Sequence, residues 1–150
     1  MSVELQTDPN LDLQIELSTT FLQQVVGAIA QHVGDDRVAG EICVRVCGAA
    51  ESSGLNAQYR GKDSPANVLS FPAEIDVPEY ELLGDLAICW PVVLDEAQQQ
   101  EKAPRDHFVH LFVHGVLHLL GMDHEEESEA QTMEALEVGI LSQLGIADPY

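Results

Sequence analysis

The stretch HGVLHLLGMDH, residues 114–124, holds three histidines at spacings of four and six. On a helix, His114 and His118 differ by one turn and about 40° of rotation, so both imidazoles point the same way and can share one cation. Gly121 can end that helix as a left-handed residue. Met122 and Asp123 then carry the chain back, and His124 can reach the same ion. Three neutral nitrogens with a fourth position open are the donor set of catalytic rather than structural zinc. Imidazole suits zinc among the common metals, although nickel and copper also accept it. A lone histidine would be an ordinary surface or core residue, and two at this spacing arise by chance. The third, placed by a glycine turn, is what points to one bound zinc ion.

The pattern HxxxHxxGxxH equals that of the metzincin peptidases except that their glutamate is replaced by Gly115. That glutamate is the general base that activates the metal's water, and glycine cannot act so. Their methionine turn is also missing, because Met133 sits inside a helical pattern. A metal still lowers the pKa of its bound water to about 7 without that base. Phosphodiester cleavage fits this donor set, since the metal offsets charge on phosphoryl oxygens and an arginine adds to it. Attention turns to YRGKD, residues 59–63, where Arg60 offers a planar fork suited to phosphate. The alternative is a surface loop holding an Arg–Asp pair. Asp85, an acid in the apolar run LGDLAIC, can orient a ligand histidine or close a turn. His107 and His110 fall near the face of His114 and His118. His107 lies about 10 Å of helical rise from His114, too far to share its ion, so both are read as supporting the ligand histidines from behind, facing substrate or simply packed. His32 is read as ordinary.

The net charge of -20 counts against general nucleic-acid binding, where Lys and Arg supply most of the affinity. All six basic residues precede residue 106, and the last 45 residues carry nine acids and no Lys or Arg. Any anion site must therefore draw positive charge from the middle of the chain or from a metal. The three cysteines, Cys43, Cys47 and Cys89, lack a secretory signal before them and are expected to be free. Cys43 and Cys47 are read as small core residues. No run of 18 apolar residues spans a membrane, and a cytoplasmic location is expected.

A length of 150 residues fits one domain, which would bury about 70% of its unfolded surface. Residues 2–7 and 12–17 alternate apolar and polar, and Leu11, Leu13, Ile15 and Leu17 share one face as in a strand. Ser18 or Thr19 can cap a helix through about His32, ended by Gly34. Residues 41–47 read as a strand with Ile42, Val44 and Val46 on one face. Residues 48–57 read as a short helix or turn broken at Gly54. A loop over 61–65 leads to a short strand over 67–71, and another strand covers 82–90. Helices follow over 91–102, over 106–121 with Asp106 as cap, and over 125–144 with the stripe Met133, Leu136, Ile140 and Leu144. The sum is an α+β single domain, 1–150, with a mixed sheet of about four strands and about five helices around it.

Together, HGVLHLLGMDH, YRGKDSPANVLSFP, LGDLAIC, the PY ending and the order of segments resemble the YbeY family of bacterial endoribonucleases. The resemblance covers nearly the whole chain. It departs at Val116, where a small hydroxyl residue is common, and at Met122, where tyrosine is common; neither removes a ligand. The resemblance implies a single-domain, metal-dependent, single-strand-specific endoribonuclease. Its role would be ribosomal RNA maturation, notably at the 3′ end of the small-subunit 16S RNA, and ribosome quality control. It implies zinc on His114, His118 and His124, and a functional role for Arg60. Implied partners are single-stranded rRNA, the small ribosomal subunit with a ribosomal protein, and a ribosome-assembly GTPase. Two other readings stay open: a zinc-stabilised, non-catalytic ribosome-assembly factor, whose acidic surface would suit basic ribosomal proteins, and a metallopeptidase-like hydrolase.

Overall fold

The computed structural model describes residues 2–34, 40–73, 82–122 and 126–150. Four strands form one mixed sheet: β1 (Ser2–Thr7), β2 (Glu41–Cys47), β3 (Val68–Pro72) and β4 (Leu82–Cys89), in the order β1-β2-β4-β3. β1, β2 and β4 run parallel, and β3 closes the sheet as an antiparallel edge strand. Five helices accompany them: α1 (Thr19–Val33), α2 (Ala49–Arg60), α3 (Trp90–Gln99), α4 (Pro104–Leu119) and α5 (Glu127–Gln143). The architecture is the expected α+β one. No helix among the described residues is long and apolar enough to cross a membrane.

Alternation in β2 and β4 sends Ile42, Val44, Val46, Leu86 and Ile88 into one core. Leu22, Val25, Val26 and Ile29 of α1 and Ile140 and Leu141 of α5 close that core together with α4. Helix α1 starts and stops where its sequence says. Ser18 accepts a hydrogen bond from the Phe21 amide at 3.1 Å, and Gly34 takes φ 66° beyond its end. On the opposite face of the sheet, α2 packs near β4, and Arg45 of β2 reaches Glu51 of α2 through two 3.0 Å hydrogen bonds.

Several expected boundaries move. Residues 12–17 form no strand: the chain turns at Asp8, whose side chain accepts from the Asn10 amide, and Gln14 adopts φ 56°. The alternation there survives only as burial, with Leu11, Leu13, Ile15 and Leu17 packed half-buried against the core. Helix α2 runs through Gly54 unbroken, since one glycine costs a helix only about 1 kcal/mol. Buried Ser52 and Asn56 anchor it. Asp106 is not the cap of α4: Pro104 takes the first helical position, Ala103 is the N-cap, and Asp106 sits in the first turn. Helix α3 stops at Gln99 rather than near 102. Cys47 and Cys89 are buried neighbours across β2 and β4, but Cys43 points out of the core and is only half-buried.

Two glycines let α4 lie close on the sheet. A Cβ on Gly84 would stand 2.6 Å from the Phe71 carbonyl oxygen and 2.7 Å from Leu119 Cδ2. A Cβ on Gly115 would meet Leu86 Cδ2 at 2.8 Å and Val68 Cγ2 at 3.2 Å. Position 115 therefore faces β3 and β4, and a glutamate there would enter the core. Gly84→Ala is expected to lower stability by about 2 kcal/mol, as overpacking against a rigid backbone does. Gly115→Glu adds an unpaired buried carboxylate and should cost about 3–5 kcal/mol. Urea unfolding measures both; unchanged midpoints would mean that α4 does not sit this close to the sheet.

Candidate metal centre

Helix α4 is buried on nearly all sides. From Asp106 onward, only Asp106, His110, His114 and His118 are partly exposed. They stand four residues apart and so form one slowly turning stripe along an apolar helix. Polar side chains on a core helix are costly unless they find partners, and this stripe is where the partners gather.

His114 Nε2 lies 3.0 Å from His118 Nε2. Two nitrogens on one tetrahedral zinc, each at about 2.05 Å, stand about 3.3 Å apart, so the pair fits a shared cation. Behind His114 is Glu137 of α5, whose side chain is 0% exposed. His114 Nδ1 bonds to Glu137 Oε1. An ionised carboxylate only accepts, so Nδ1 carries the proton and Nε2 keeps its lone pair toward His118. The other oxygen of Glu137 accepts from the Tyr150 hydroxyl and lies 3.4 Å from His110 Nε2. Burial pushes the Glu137 pKa up. The hydrogen bonds from His110, His114 and Tyr150 outweigh it and hold the carboxyl down to about 2. Burial, then the bond to Glu137, raises the Tyr150 phenol above its ordinary value.

Past His118 the helix ends as expected. Gly121 takes φ 90°, its amide donates to the His118 carbonyl, and the Met122 amide donates to Leu117. These two bonds form the capping motif that reverses a chain. His124, the expected third ligand, lies outside the described residues.

His107 and His110 meet ring edge to ring face, with centroids 6.0 Å apart, but bond to different partners. His110 joins the Glu137 network. His107 is buried and turns to Glu96 of α3 at 2.9 Å. Burial lowers the His107 pKa, with the Glu96 bond opposing, so the ring sits as a neutral donor. Glu96 also accepts from Asn67 at the start of β3, which ties β3, α3 and α4 together. His32 bonds to the Ala28 carbonyl of its own helix. Asp85 is exposed on the far face of the sheet, in register with Cys43 and Phe71. The carboxylate that orients His114 is therefore Glu137 and not Asp85. Glu137 left one trace in the sequence: it stands four residues after Met133 and three before Ile140, an acid on a buried stripe.

Arg60 is the last residue of α2, exposed, with Gly61 at φ 71° capping the helix. It forms no ion pair among the described residues, so the Arg–Asp alternative does not hold. The following loop is held from below: Asn56 donates to the Ser64 carbonyl at 2.8 Å, and Ser52 bonds to both backbone groups of Ala66. No contact joins Arg60 to the histidines among the described residues. Another possible cation-binding group, Glu4, Glu41 and Cys43, has donor atoms within 4.8 Å of one another on β1 and β2. Burial, with Asp85 and other acids near, pushes the Cys43 thiol up to about 12.

Known proteins share this sequence and fold. The family described as Endoribonuclease YbeY matches residues 5–145. A protein of that name from Stenotrophomonas maltophilia is 57% identical over 140 residues, covering 89% of this chain and 83% of its own length. One from Acinetobacter baumannii is 48% identical, covering 100% of this chain and 98% of its own length. One from Nitrosococcus oceani is 49% identical, with 91% and 88% covered. The solution structure of TM1509 from Thermotoga maritima shares the fold with a TM-score of 0.57 at 20% identity, covering 95% of this chain and 91% of that one. On the match over residues 5–145 and these identities, the chain belongs to the Endoribonuclease YbeY family.

Proposed function

We propose that this chain is a zinc-dependent endoribonuclease that cuts single-stranded RNA. The observation that carries the reading is the pair of Nε2 atoms of His114 and His118, turned toward each other by a buried Glu137. One zinc ion per chain would be held by His114, His118 and His124. When bound, zinc offsets charge on the phosphoryl oxygens and lowers the pKa of its water to about 7. Glu137 fixes the His114 tautomer and the ring's orientation. Arg60, exposed and without an ion pair among the described residues, would hold the scissile phosphate with its planar fork and stabilise the developing charge. A peptidase reading is disfavoured, because position 115 faces the sheet and leaves no place there for a base.

The substrate would be ribosomal RNA, at the 3′ end of the small-subunit RNA, with a further part in ribosome quality control. Such work belongs in the cytoplasm, beside the small subunit, a basic ribosomal protein and an assembly GTPase. The charge of -20 supports a basic protein partner. The same charge favours one competing reading, a zinc-stabilised assembly factor without catalysis.

Cleavage of a single-stranded fragment from the 3′ end of small-subunit RNA tests the proposal. His114→Ala should lose zinc and activity together. Arg60→Ala should lose activity and retain zinc; loss of zinc as well would remove its assigned role. Equal cleavage by wild type and His114→Ala would put the activity outside this site. An Arg60→Ala protein that keeps zinc and still supports ribosome maturation in cells would favour the assembly factor. Glu137→Gln preserves shape but loses the charge, and zinc affinity, read by chelator competition, should fall about 10–100-fold.

A further inference from the structure

Tyr59 is 60% exposed, although aromatic residues make up only 5% of this chain. Its ring does not hang free. Phe71 of β3 braces it from beneath, with centroids 4.9 Å apart and planes at 60°. The adjoining residue is Arg60, and Lys62 follows two further on, both exposed. These are two of only six basic residues in the whole sequence.

The pair also has a defined relation to the histidine helix. Phe71 is in register with Asp85 and points away from α4. Its neighbour Ser70 is in register with Leu86 and turns the other way, donating to the Gly115 carbonyl at 3.3 Å. Gly115 directly follows His114. Among the described residues β3 is the edge strand of the sheet, with no strand paired to its outer side. The aromatic pair and the histidine helix thus stand on two sides of one strand.

We propose that Tyr59, braced by Phe71, is a stacking platform for an unpaired nucleobase of single-stranded RNA, with Arg60 and Lys62 taking the flanking phosphates. The proposal rests on the endoribonuclease reading and deepens it by assigning residues to strand selection. Every base offers a π face, so stacking tolerates sequence. In a duplex both faces are already covered by neighbouring pairs, so a helix cannot use the platform. Stacking also suits a chain of charge -20, where few cations are available to hold the backbone. The platform is ordered before RNA arrives, because Asn56 and Ser52 pin the loop that follows Arg60.

The test is binding of a short unpaired oligoribonucleotide, and of a duplex of the same length without a loop, to protein carrying His114→Ala so that no cleavage intervenes. Adding Tyr59→Ala should weaken binding of the unpaired strand about 5- to 150-fold and leave duplex binding unchanged. Tyr59→Trp should restore binding, and its new indole should be quenched by the unpaired strand. The native Trp90, 2% exposed, would not report that contact. Undiminished binding by Tyr59→Ala, or an indole that RNA does not quench, overturns the platform alone. If protein with both His114 and Tyr59 intact neither binds nor cleaves unpaired RNA, the endoribonuclease reading falls and the platform with it.

Discussion

A carboxylate with no solvent exposure sits at the centre of this structure. Glu137 is an added burden in a chain already at -20, and burial alone would drive it to the neutral acid. Hydrogen bonds from His114, His110 and Tyr150 reverse that tendency. The members come from three places: α4 supplies two histidines, α5 supplies the acid, and Tyr150 supplies the phenol. The same bonds decide which nitrogen of His114 faces His118. Tertiary packing and the orientation of the His114–His118 pair are therefore one arrangement.

That arrangement needs α4 to be held without slack. The helix is apolar around most of its circumference and is wedged among α1, α3, α5, β3 and β4. Gly115 and Gly84 let its backbone approach the sheet, while the Glu96–His107 bond holds its first turns. Only the stripe through His110, His114 and His118 is left partly open. The glycine that stands where a peptidase has its base is thus a packing residue, and its side of the helix never faces the histidine stripe.

The charge distribution explains why the cationic loop matters. Nine acids and no Lys or Arg follow residue 105, so the histidine side of the molecule has no basic side chain of its own sequence neighbourhood to attract phosphate. Arg60 and Lys62 come from the end of α2 and the loop beyond it, which buried Ser52 and Asn56 hold in place. An aromatic surface beside them adds a form of attraction that net charge does not oppose.

Much of this was legible from local pattern. The strand alternation of residues 41–47, the Ser18 cap, the Gly34 and Gly121 ends and the shared face of His114 and His118 all follow from backbone periodicity and the conformations that glycine allows. Those rules act within a few residues, so sequence alone determines them. It misjudged residues 12–17, where the alternation was real but no strand among the described residues pairs with it, because pairing depends on what lies alongside. Local pattern also proposed Asp85 as the orienting acid, since any acid in an apolar strand looks anomalous. Only the tertiary structure brought Glu137, 23 positions from His114, into that role, and only it gave His107 a different acid, Glu96, from that of its neighbour His110. Whether a buried charge is tolerated depends on donors arriving from distant segments, and no periodicity within one segment records where those donors will be.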